Sequence, residues 1–177
     1  MFTDPQNNVK EFGFLPGEII ADLGSGSGHY AMRLSEAVGP NGGVYCVDIN
    51  KDSLVALKNQ AEREGRRNIE VILGDMEKLG GTKLKDAVVD GTLFSNVLLQ
   101  LDNKSEAIKE AKRILKPGGK LCIVEWSDLS YTSGVKKDGK KVVVSKDEMI
   151  RLVEANGFKL EKSFEAGDHH YGLIFKN

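Results

Sequence analysis

Ile19-Ile20-Ala21-Asp22-Leu23-Gly24-Ser25-Gly26-Ser27-Gly28-His29-Tyr30 is the stretch on which the fold turns. An apolar run ends in an acid and opens into three glycines at alternate positions. Amphipathic sequence resumes from 30 to 38. That order predicts a buried strand, a tight Gly-rich turn and a helix. Such a turn brings bare backbone close to a ligand and points the free N–H groups of a helix N-terminus at it.

The same grammar repeats on either side. Strands are predicted over 18–22, 44–48 (ending in Asp48), 69–73 (ending at Gly74-Asp75), 87–94 and 120–125. Between them, helices are predicted over 30–38, 51–64 and 103–115, with Asn50 as a cap for the second and Gly65 as its stop. Residues 76–86, broken by Gly80-Gly81, read as a loop. Asp4-Pro5 begins a short helix over 6–12, and 1–17 form an N-terminal helix and linker. Ser145-Lys146-Asp147-Glu148 is a capping box opening a helix that ends at Asn156-Gly157. Two closing strands, 158–164 and 170–176, are joined by Ala166-Gly167-Asp168. The polar stretch 127–141 includes Asp138-Gly139 between lysines, a signature of a tight turn or small hairpin.

Strands alternating with helices make right-handed β-α-β units. The last two strands share too short a loop to be parallel. The expected architecture is α/β: a doubly wound, mostly parallel seven-stranded sheet, Rossmann-like, with an antiparallel C-terminal strand, in one domain spanning 1–177. Ligands on such sheets bind beyond the C-terminal strand ends, where the strand order reverses.

Composition narrows the function. Lys+Arg 25 against Asp+Glu 26 gives no global electrostatic case for nucleic acid. Cys46 and Cys122 fall inside apolar strands, without metal-ligand spacing or a disulfide framework, so no metal is expected. The N-terminus lacks a basic start and apolar core, so no signal peptide is expected. No apolar run approaches spanning length. The chain is therefore expected to be cytoplasmic, with no membrane span.

Three strand ends share one crevice: Asp22 with its loop, Asp48, and Asp75-Met76. A carboxylate about twenty residues past the loop can accept both hydroxyls of a ribose. A dinucleotide site needs G-x-G-x-x-G, but the spacing here is G-x-G-x-G, with His29 where the third glycine would fall. Asp22 would repel a pyrophosphate yet suits the ammonium group of adenosylmethionine. No Gly-Lys-Ser/Thr follows, which excludes a P-loop.

The loop Asp22-x-Gly24-x-Gly26-x-Gly28 resembles motif I of the class I S-adenosylmethionine-dependent methyltransferases. Val47-Asp48 resembles their ribose-binding acid, Gly74-Asp75-Met76 their adenine motif, and Leu115-Lys116-Pro117-Gly118-Gly119-Lys120-Leu121 the turn before their fifth strand. Within the class, the chain is similar to the ubiquinone/menaquinone-biosynthesis and arsenite (type 11) branch. It lacks the cysteine set used for arsenic, and its N-terminal segment leaves little material for a lid.

The resemblance implies S-adenosyl-L-methionine as cofactor and in-line methyl transfer to a small-molecule acceptor, with no metal. It further implies that Gly24, Ser25, Gly26 and Gly28 cradle the methionine end, with Asp22 on its amino group. Asp48 would take the ribose, Ile49 would pack on the adenine, Asp75 would take the adenine amine with Met76 beside it, His29 would lie beside the cofactor near its sulfonium, and Ser95-Asn96 at the end of strand four would border the reacting methyl. His29 and Asn96 are candidates for the catalytic and acceptor side. Trp126, His169 and Tyr171 are candidates for lining the acceptor. Two rival readings remain at this stage. One is an RNA or protein methyltransferase using the 136–141 lysines. The other is a non-catalytic module that only binds the cofactor.

Overall fold

A computed structural model describes residues 3–127, 136–137, 140–141 and 144–177. Helix α1 (Pro5–Phe12) leads to β1 (Ile19–Leu23), α2 (Ala31–Val38), β2 (Gly43–Asp48), α3 (Lys51–Arg63) and β3 (Ile69–Leu73). Then come β4 (Val89–Ser95), a 3-10 turn (Leu98–Gln100), α4 (Lys104–Ile114) and β5 (Leu115–Trp126). The two-residue strands β6 (Lys136–Lys137) and β7 (Lys140–Lys141) precede α5 (Lys146–Ala155), β8 (Lys159–Gly167) and β9 (His170–Lys176).

One sheet runs in the order β3-β2-β1-β4-β5-β9-β8. Strands β1 to β5 pair in parallel, and β9 is antiparallel to both its neighbours. The expected seven-stranded, mostly parallel sheet is therefore what forms. The chain winds outward from β1 through β2 to β3, then returns to place β4 on the other side of β1. The crevice between the ends of β1 and β4 is the switch point at which such sheets bind ligands.

Apolar packing covers both faces, which is why the parallel strands read as continuous apolar runs. On one face Leu23, Phe94, Ile123 and Leu173 meet Ile108 and Ile114 of α4 and Met149 and Val153 of α5. On the other, Ile20, Leu93, Cys122 and Ile174 meet Phe12 of α1, Leu34 of α2 and Leu57 of α3. Both cysteines are buried and free.

The local signals act as expected. Asp4 Oδ1 accepts from Asn7 N at 3.1 Å, Asn50 Oδ1 accepts from Ser53 N at 3.0 Å, and the Ser145–Glu148 capping box forms in both directions. Two boundaries differ. Strand β5 begins at Leu115, which pairs with Val89, and the pairing resumes at Gly91 with Lys120. The Pro117-Gly118-Gly119 turn is thus an excursion within the strand rather than a connection before it. The final hairpin turns on Asp168-His169, with His169 left-handed at φ 65°, so β8 extends through Gly167. Lys136 and Lys137 pair antiparallel with Lys141 and Lys140, as a small hairpin requires. Asp138-Gly139 lies outside the described residues.

Candidate active site

The glycine loop is folded onto the end of β2. Gly24 N and Ser25 N donate to Val47 O at 2.8 and 3.2 Å. Gly26 N donates to Asp48 Oδ2 at 2.8 Å, and Asn50 N donates to Asp48 Oδ1 at 2.8 Å. Asp48 therefore fixes the loop while accepting only backbone protons. Gly24, Gly26 and Gly28 all take positive φ, 79°, 51° and 94°, where an L side chain is strained.

Gly28 is also sterically closed: a Cβ there would lie 2.7 Å from Leu57 Cγ. Gly28→Val is expected to destabilise the fold by about 2–4 kcal/mol, from backbone strain together with overpacking. A urea titration against wild type measures this, and an unchanged midpoint would show that the loop relaxes freely.

Behind the loop, the Asp22 side chain is 1% exposed, and its Oδ2 has no hydrogen-bond partner. Burial, reinforced by the nearby Asp48 charge, pushes its pKa up to about 7. Ser25 Oγ and Asn96 Oδ1 are likewise buried without partners. Asn96 follows β4 in a left-handed conformation, φ 54°, held by its N–H to Val124 O at 2.9 Å and by Gln100 Nε2 on its carbonyl at 2.6 Å.

These groups face a cavity of about 550 Å³, within the range of small-molecule sites. It brings together Asp22, Gly24, Ser25, Gly26, His29 and Asn96. Asp48 stands directly behind, through Gly26. Ile49, which follows Asp48, is not on the cavity wall and is 70% exposed. Asp75 is turned toward its own loop, with Oδ1 accepting from Glu77 N at 3.0 Å and Oδ2 paired to Lys78 Nζ at 2.8 Å. That Lys78 bond leads the opposing influences and holds its carboxyl below the usual range. The Met76 side chain is buried in the core.

The acceptor-side candidates at the C-terminus are not on the cavity wall. Tyr171 is 3% exposed within the core, Trp126 stacks on His170 with ring centroids 4.0 Å apart, and His169 forms the hairpin turn. No group of three or more His, Cys, Asp or Glu among the described residues could hold a metal ion. Among the described residues no helix is long and apolar enough to cross a membrane.

Several wall residues escaped the sequence. Thr3 and Pro5 of the N-terminal segment line the cavity, as does Tyr30; Ser95, expected beside Asn96 at the end of β4, lines it too. The start of the N-terminal segment thus contributes to the cavity wall, through Thr3 and the first residue of α1. Glu125, 1% exposed at the end of β5, accepts from Leu99 N at 3.4 Å and from Trp126 N at 3.1 Å. Burial pushes its pKa up to about 7. It anchors the turn that follows Asn96, and its signal was legible: an apolar run ending in an acid, as at Asp22 and Asp48.

Two surface grooves of about 550 and 590 Å³ flank Arg66 and Arg67, but neither contains a buried carboxylate or the glycine loop. The cavity has the opposite character: one orphaned carboxylate, orphaned neutral acceptors, a backbone cradle, and no Lys or Arg among its described wall residues. That donor set fits a ligand with a compact positive charge, and it fits poorly with a pyrophosphate.

A doubly wound sheet places its ligand site at this crevice, and comparison with known proteins gives the family. A methyltransferase-domain family model matches residues 15–169. The ubiquinone/menaquinone biosynthesis C-methyltransferase UbiE of Pseudomonas entomophila is 35% identical over 120 residues, 67% of this chain and 46% of that protein. An arsenite methyltransferase of Aquipseudomonas alcaligenes is 38% identical over 112 residues, 60% of this chain and 32% of that protein. A SAM dependent methyltransferase from Aquifex aeolicus superposes with TM-score 0.85 and 26% identity, covering 99% of this chain and 90% of its own. The chain belongs to the class I S-adenosylmethionine-dependent methyltransferases, in the UbiE and type 11 branch. It spans under half the length of the curated UbiE relatives that it matches.

Proposed function

We propose that this chain binds S-adenosyl-L-methionine in the crevice between β1 and β4 and directs methyl transfer to a small-molecule acceptor. The observation that carries the reading is the buried Asp22 carboxylate, unpartnered at Oδ2 beside a cradle of three positive-φ glycines. Asp22 would hold the amino group, and Gly24, Ser25 and Gly26 the rest of the methionine end. Asp48, accepting only two backbone N–H groups, keeps capacity for ribose hydroxyls. Ile49 and the Asp75-Met76 segment would flank the base, and Gly28 supports the loop against Leu57.

When bound, the cofactor supplies a methyl group already activated by its positive sulfur. The chain's own part is orientation and exclusion of water. Thr3 and Pro5 wall the cavity at the start of the chain, and His29 and Asn96 would border the acceptor. Two similar proteins are named for ubiquinone/menaquinone biosynthesis and for arsenite, which supports a small-molecule acceptor here.

Isothermal titration with S-adenosylhomocysteine tests the reading. Asp22 carries a proton below pH of about 7 and must lose it to face an ammonium group. The dissociation constant is expected to rise about tenfold per pH unit below 7 and to level off above it. The heat at pH 6.5 should depend on the buffer's ionisation enthalpy, with about one proton released. Absence of binding at pH 8 would sink the proposal. Binding with no proton release would detach Asp22 from it.

A further inference from the structure

Glu125 is a buried acid for which methyl transfer has no evident use. It lies near the end of β5, 1% exposed, and is not on the cavity wall. Its two oxygens are divided between two elements. Oε1 accepts from Trp126 N at 3.1 Å, on its own strand, and Oε2 from Leu99 N at 3.4 Å, in the 3-10 turn. The Leu98 N–H also bonds to the carboxylate. The first N–H groups of a helical turn have no acceptor inside it, so the strand-end acid supplies one. An ionised carboxylate accepts at both oxygens, whereas a protonated one carries a donor on one of them. The turn so held links two parts of the site. Asn96, which leads into it, is left-handed at φ 54° and on the cavity wall. A residue other than glycine keeps such a conformation only where its surroundings fix it. Gln100, at the far end, returns Nε2 to Asn96 O at 2.6 Å. Between them, Val97 packs on the glycine loop so closely that a Cβ on Gly24 would lie 2.6 Å from Val97 Cγ2. A displaced turn would therefore disturb Asn96 and the Gly24 end of the loop together.

We propose that Glu125 is a positioning residue of the cofactor site: its ionised carboxylate holds the 98–100 turn, and the turn holds Asn96 at the cavity and Val97 against Gly24. The inference rests on the adenosylmethionine reading. Two charged or titratable groups interact with this carboxylate. Lys104 of α4 favours its ionised form. Tyr171 of β9 pairs with Glu125 across the sheet, and its buried phenol makes no hydrogen bond among the described residues. Burial outweighs the backbone donors and Lys104, so the acid changes charge near pH 7. The turn is held fully above that pH and loosened below it.

Glu125→Gln keeps the side chain's shape and loses one acceptor. Calorimetry at pH 8 is expected to show S-adenosylhomocysteine bound about fivefold more weakly than by wild type, the size of one hydrogen bond. At pH 6 wild-type Glu125 is itself largely protonated, and Asp22 weakens both proteins alike. The two should then differ less than about twofold. Thermal melting confirms that the variant is folded. A second measurement needs no variant. The Leu99 amide resonance of wild type should titrate with a midpoint near pH 7. Bound S-adenosylhomocysteine should lower that midpoint to about 6.3, the linkage counterpart of a fivefold preference. A Gln variant that melts lower yet binds as wild type does at pH 8 would make Glu125 a residue of the fold alone and overturn the proposal. So would a fivefold loss that persists at pH 6, or a Leu99 midpoint unmoved by the ligand. Each of these outcomes leaves the cofactor reading untouched. If wild type binds no S-adenosylhomocysteine at pH 8, that reading fails and this proposal with it.

Discussion

Asp22→Asn is expected to bind S-adenosylhomocysteine about two to three orders of magnitude more weakly than wild type at pH 8, and yet to unfold at a higher temperature. Both effects come from the same buried carboxylate. Opposite a ligand ammonium it forms a desolvated ion pair, and removing one partner of such a pair costs about 3–5 kcal/mol. Without the ligand, its Oδ2 has no partner and Asp48 stands nearby. The folded protein keeps a proton on Asp22 at pH values where the unfolded chain has released it. Its contribution to stability is full below 3.8, falls as pH rises, and is gone above about 7. The shift corresponds to roughly 4 kcal/mol. The Asn amide forgoes about half of that through its own unmet hydrogen bonds. The net gain at pH 8 is expected near 2 kcal/mol, or roughly 4–8 °C in melting temperature. Paired melts at pH 5 and pH 8 check it, because the advantage should shrink toward pH 5. A variant less stable than wild type at pH 8 would mean that Asp22 answers to the fold rather than to a ligand.

This opposition between stability and binding explains what the sequence could carry. Asp22, Asp48 and the glycines were legible because a cofactor site built at strand ends needs acids and glycines at fixed offsets along the chain. The strands were legible because burial on both faces erases alternation and leaves apolar runs. The packing of Tyr30 on the cavity wall was not. Asn8, Tyr30 and Ala166 are 22 and 158 residues apart where they bond. No local pattern marks a hydroxyl that accepts from a residue of another helix. Asp75 illustrates the converse. Its place after β3 was clear from Gly74-Asp75, but its pairing with Lys78 depends on how 74–86 folds back on itself, with Asp75 N donating to Gly81 O at 3.0 Å.

That fold-back depends on Glu110, and Glu110→Ala is expected to destabilise the protein by about 3–5 kcal/mol, measured by urea denaturation at pH 7. Glu110 is fully buried on α4. Its carboxylate accepts from Gly80 N at 2.8 Å, from Thr82 N at 3.2 Å and from the Thr82 hydroxyl. It also accepts from Arg113 Nε and Nη2 at 2.8 and 2.7 Å. Burial alone would raise its pKa, but these donors, led by Arg113, hold it down at about 2. The variant leaves Arg113 with the exposed Asp86 as its remaining carboxylate and frees the segment bearing Asp75. S-adenosylhomocysteine affinity should therefore fall several-fold even where the variant is fully folded. The stabilisation from Glu110 is present above 4.5 and is lost as pH falls toward about 2. Asp22 and Glu125, both raised to about 7, act in the opposite sense between acid and neutral pH. Wild-type stability should therefore peak near pH 4, between an acid limb governed by Glu110 and a neutral limb governed by the two raised acids. Glu110→Ala should flatten the acid limb and Asp22→Asn should shorten the neutral one. If the Glu110 variant kept the acid limb, the loop would have an anchor other than α4.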